Sequence, residues 1–107
     1  MTHTPPDTDR PAVGDIAYSS WGYEQTNVDY YQVTAVSRAM VTVQPIAAAT
    51  EATGPYTGVA RPLRDQFTGP AIRRKIHHHS DRWHIAINTV ANAYPWTGAP
   101  NRVSTYA

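Results

Sequence analysis

The chain has 107 residues, nine Lys and Arg against eight Asp and Glu, a formal net charge of +1 and no cysteine. That length holds one domain and excludes a two-domain enzyme or a (β/α)₈ barrel of about 250 residues, while the missing cysteines exclude disulfides, thiolate metal sites and cysteine nucleophiles. With a single Leu and a single Lys against nine Val, six Ile and 13 Thr, and with three Trp and seven Tyr to fill a core, the composition favours pleated sheet over helix.

Residues 1–10 are rich in Thr, Pro and Asp and carry no periodic apolar side chains, so they read as a flexible tail ahead of one domain at 11–107. Val13 to Ser20 alternates Ile16 and Tyr18 with smaller residues, which predicts a strand. Trp21 to Asn27 breaks the alternation with glycine and polar turn formers, a loop carrying two large rings. From Val28 to Val36 the period of two places Val28, Tyr30, Gln32, Thr34 and Val36 on one face and Asp29, Tyr31, Val33 and Ala35 on the other, so both faces carry rings. Met40 to Gln44 alternates again and completes an antiparallel hairpin, with Pro45 marking an edge or the strand's end.

Ala47 to Pro70 shows no sustained period and reads as a long irregular third connection, with room for a weak strand near Tyr56 to Arg61. Ala71 to His77 and Arg82 to Asn88 predict a second hairpin turning at His78 to Asp81. Ala93 to Arg102 reads as irregular structure, and Val103 to Tyr106 as a closing strand. Short strands separated by turns predict an all-β fold, a small antiparallel SH3-like or OB-like barrel whose closure removes exposed edges.

The densest group of recognition chemistry is Trp21, Tyr23, Gln25 and Asn27, followed by Tyr31. Rings supply contact area and amides supply orientation, the usual mixture of a binding pocket; Trp21 and Tyr30 equally fit a cap over the core. Residues 1–59 hold two Arg against six carboxylates, whereas residues 60–107 hold seven Lys and Arg against two carboxylates. Such asymmetry fits self-association, an anion-binding face or simple charge balance between halves. Arg73 and Arg74 are the cations expected to draw acidic or phosphate groups. His77 and His79 share one side of an extended strand and Asp81 or His84 could join them, but no fourth ligand is defined, so neither a metal nor another cofactor is expected. No phosphate loop, nucleophile elbow or metalloprotease helix pattern occurs, which points to binding rather than catalysis.

The run from Gly14 to Val33, together with Val41 to Ile46, Asp65 to Pro70, Arg73 to Lys75 and Tyr94 to Gly98, resembles a family of small, mostly uncharacterised proteins carried by bacteriophages, plasmids and other mobile elements. His77, His78 and His79 depart from that family's pattern. The resemblance implies a small accessory protein of a phage or plasmid, with interference with host defence or regulation as the expected setting, and the aromatic loop adds the expectation that it binds a host protein. A nucleotide signal or single-stranded nucleic acid, held by rings and arginines, is the alternative partner. No apolar run approaches the roughly 18 residues that cross a bilayer, and no signal-peptide pattern opens the chain, so a cytoplasmic location away from membranes is expected.

Overall fold

The computed structural model describes residues 10–21, 26–79, 82–89 and 91–104. The tail at 1–9, the loop residues Tyr23 and Gln25, and the turn at Ser80 and Asp81 therefore lie outside the described residues. Among those described there is no helix; nine strands form an antiparallel, curled half-barrel sheet. They are β1 (Ile16–Trp21), β2 (Asn27–Val36), β3 (Met40–Ala52), β4 (Thr57–Phe67), β5 (Ile72–Lys75), β6 (His77–His79), β7 (Arg82–Ala86), β8 (Asn92–Pro95) and β9 (Asn101–Ser104). The order across the sheet is β6-β7-β8-β1-β2-β3-β4-β9, with β5 paired to β3 off that path.

The double-sided patterning of β2 has its counterpart in two cores. Ala17, Val33, Val41, Val43, Trp83, Ile85 and Ala93 are buried together, with Tyr31, Ile72, Ile76 and Ile87 packed around them. Ile16, Tyr30, Ile46 and Ala60 form a second cluster, flanked by Tyr18, Val28, Trp96 and Val103. Along β1 and β2 the first cluster takes the odd-numbered residues and the second the even-numbered ones, because successive side chains point to opposite faces. The central strands are thus covered on both sides, β7 and β8 packing over one face and β4 and β9 over the other.

Two expectations are corrected here. The stretch from Ala47 to Pro70 is not an irregular connection: β3 continues to Ala52, and β4 runs back beside it, pairing Ala52 with Gly58 and Ala48 with Pro62. From Ala48 to Ala52 every residue of β3 is exposed, so neither face is buried and no apolar alternation marks the strand. Nor does Pro45 end β3. Its carbonyl accepts from the Thr68 amide at 2.9 Å, and the donor it lacks falls where β3 exchanges its partner β5, paired at Met40–Val43, for β4, paired from Ile46 onward.

The second predicted hairpin is also divided. Ile72 to Lys75 pairs with β3 instead of β7, and the Ile76 amide bonds the Ala39 carbonyl at 2.9 Å. His77 to His79 forms the partner of β7, placing His78 and His79 in a strand and not in the turn. Near the C-terminus, β8 and β9 occupy parts of the segment expected to be irregular. The closing strand begins two residues earlier than predicted, at Asn101, and includes Val103 and Ser104, while residues 105 and 106 of the predicted strand lie outside the described residues.

Candidate functional site

At one end of the sheet the start of β2, the β3–β4 hairpin and β9 meet. Thr26 and Ser104 exchange backbone hydrogen bonds of 3.1 Å in both directions, which fastens β9 to the entrance of β2. The hairpin turn is held by the amides of Thr53 and Gly54, both donating to the Thr57 carbonyl at 3.0 and 3.2 Å. These contacts frame a groove of about 420 Å³, within the size range of ordinary ligand sites.

Two rings stand in this groove, Trp21 at 50% and Tyr56 at 52% exposure. Trp21 ends β1 opposite Asn27, and its indole Nε1–H donates to Oδ2 of Asp29 at 2.7 Å. That bond orients the indole while leaving half of it open to a partner. Val28, Ala60 and Val103 contribute apolar walls, and Asn27 lines the same groove. The Nδ2 of Asn27 is buried with no acceptor among the described residues, a costly condition for a donor.

The charge here has one sign. Asp29 and Glu51 line the groove, and among the described residues no lysine, arginine or histidine does. Arg61 comes within 4.0 Å of Glu51, but both side chains are mostly exposed, so water screens the pair heavily.

The other residues singled out from the sequence sit elsewhere. Tyr31 is half-buried against the first core; burial first, and Asp29 second, push its phenol up, while Arg74 pulls it the other way. Arg74 is engaged with main-chain carbonyls, Nη1 to Arg73 at 2.9 Å and Nη2 to Ile87 at 3.2 Å. Arg73 lies beside a separate depression of about 250 Å³ lined by Ala35, Val36, Ser37, Met40 and Thr42. The groove therefore unites Trp21 with Asn27 and without either arginine.

Sequence reasoning missed Tyr56 and Glu51. The available signal was the Gly54-Pro55 pair ahead of Tyr56, with Gly58 just beyond, which is the chemistry of a hairpin tip.

A second ring-bearing surface crosses β6, β7, β8 and β1. His77 stacks on His84 with centroids 5.3 Å apart, His84 meets Tyr94 at 5.8 Å, and Tyr94 meets Tyr18 at 6.3 Å. The Arg82 guanidinium lies 5.8 Å from the Tyr94 ring centre. Burial, followed by the charges of His77, His79 and His78, holds the His84 imidazole below its ordinary value. Among the described residues no group of three or more His, Asp or Glu is placed to hold a metal ion, and no helix is long and apolar enough to cross a membrane.

Comparison of the chain with protein-family models, with curated proteins and with solved structures finds no match.

Proposed function

We propose that this chain is a non-enzymatic binding module that docks a host protein through the groove between Trp21 and Tyr56, as an accessory or counter-defence factor of a phage or other mobile element. The observation that supports this most is a pair of half-exposed rings, one oriented by a buttressing hydrogen bond, on a groove with apolar walls. Tryptophan and tyrosine anchors of this kind dominate the energy of protein interfaces. The genomic setting comes from the sequence resemblance alone. In its finer architecture we read the half-barrel as SH3-like or OB-like, and we place the protein in the cytoplasm.

The nucleotide or single-stranded nucleic acid reading gains from a different surface. Across β6 to β1, a row of exposed and half-buried rings runs beside Arg82 and the histidines, the pairing of stacking and cation that such ligands use. Capture from host lysate separates the two. Proteins recovered by wild type and lost by a Trp21→Ala, Tyr56→Ala double variant support the groove. A bound fraction rich in nucleotides, lost at high salt and unaffected by those two substitutions, favours the ring row instead. Equal recovery of every partner by both versions at all salt concentrations removes the groove from consideration.

A further inference from the structure

Resting on the groove reading, we propose that what the partner inserts between Trp21 and Tyr56 is a cationic side chain, an arginine in preference to a lysine. Three features of one groove converge on this. Its rings present electron-rich faces, which attract a cation and, best of all, a flat guanidinium that can stack. Asp29 and Glu51 both line the groove, no Lys, Arg or His does among the described residues, and Arg61, 4.0 Å from Glu51, is a weak partner because both side chains are mostly exposed. Asp29 is already aligned by the Trp21 indole through one oxygen, leaving its other oxygen for an incoming N–H donor.

Other occupants fit less well. A phosphate or a carboxylate would enter against two negative charges with no cation among the described lining residues. An apolar side chain would fill the walls but leave Asp29 and Glu51 without any gain on desolvation. An arginine satisfies both, its stem lying on Val103 and Val28 while the head meets rings and carboxylates.

The test uses the full chain and five-residue peptides, Gly-Gly-Xaa-Gly-Gly with blocked ends, in which Xaa is arginine, lysine, citrulline, norleucine or glutamate. Binding is followed by the NMR resonance of the Trp21 indole N–H, assigned with Trp21→Phe. Citrulline keeps the shape of arginine but has no charge and carries a carbonyl oxygen in place of one guanidinium nitrogen, so the arginine peptide is expected to bind about tenfold more tightly than citrulline, with lysine between them. Asp29→Asn with Glu51→Gln keeps an acceptor for the indole and removes the charge; it should erase the preference for arginine over citrulline.

Equal affinity for arginine and citrulline, preference for the glutamate peptide, or an indole resonance that no peptide moves each overturns the proposal. If the neutral peptides bind as well as arginine and Tyr56→Ala abolishes that binding, the charge claim falls while the groove survives as a docking site. If no peptide binds and lysate capture is also indifferent to Trp21→Ala with Tyr56→Ala, the groove reading falls with it.

Discussion

The phenol of Tyr30 crosses the second core to reach the Ala60 carbonyl at 2.8 Å and stands 2.7 Å from Oδ1 of Asn101. It ties β2 to β4 and to the start of β9, and its ring meets Trp96 edge-on at 6.3 Å. Tyr30→Phe keeps the ring and strips both oxygens of their partner, which should cost about 1–3 kcal/mol in urea unfolding; an unchanged midpoint would show that water already serves those oxygens. Burial pushes this phenol up to about 12. The unfolded chain then releases the proton first, so stability from Tyr30 is intact below about pH 10 and declines as pH rises beyond it. His84 has the opposite sense. Its imidazole is held below 6.5 by burial and the neighbouring histidines, so the unfolded chain takes up the proton more readily and the fold weakens as pH falls through that value. Urea midpoints should therefore be lower at about pH 5.5 than at about pH 7.5, and His84→Gln should narrow the gap; a gap of undiminished size would assign it to other groups.

At the scale of the element, legibility followed burial. β1, β2, the first half of β3 and β7 each have at least one buried face, and Ile16, Tyr30, Val33, Val41, Val43, Trp83 and Ile85 fall on the alternation that predicts them. The β3–β4 extension has too little buried surface to be seen that way, so the hairpin that supplies Tyr56 and Glu51 was hidden as well. Asp65 adds a further irregularity. It adopts φ +67°, inside a register shift between the Ile46–Phe67 and Ala48–Pro62 pairs. Its carboxylate accepts from Gln32 Nε2, and its amide donates to Gln32 Oε1, each at 2.8 Å; a long-range pair of this kind leaves no periodic trace. Gly58 sits where β4 runs between β3 and β9, and a Cβ there would lie 2.7 Å from the Glu51 carbonyl oxygen. Gly58→Ala must push those strands apart, and a loss of about 1–3 kcal/mol is expected. Calorimetric melting checks it, and an unshifted transition would mean that the hairpin moves freely without disturbing the cores.

Over the whole molecule, the two cores explain how 17 Leu, Ile, Val and Phe residues can sustain a sheet of this extent. The central strands bury both faces, and aromatic rings supply volume that leucine would otherwise provide. The charge asymmetry between the halves of the sequence does not carry over into one mixed site. Asp29 and Glu51 gather at the Trp21 groove, whereas Arg73 lies at another depression and Arg74 is turned to backbone carbonyls. The sequence brought Trp21 and Asn27 into the candidate site but could not separate them from the arginines, because that separation depends on β5 pairing with β3. Docking at the groove is the claim on which the functional account stands. It is tested most directly by the dissociation constant of a purified captured host protein for wild type and for Trp21→Ala with Tyr56→Ala. Loss of the two anchors should weaken binding at least about tenfold, while an affinity that does not change, in a variant whose melting transition is intact, would contradict it.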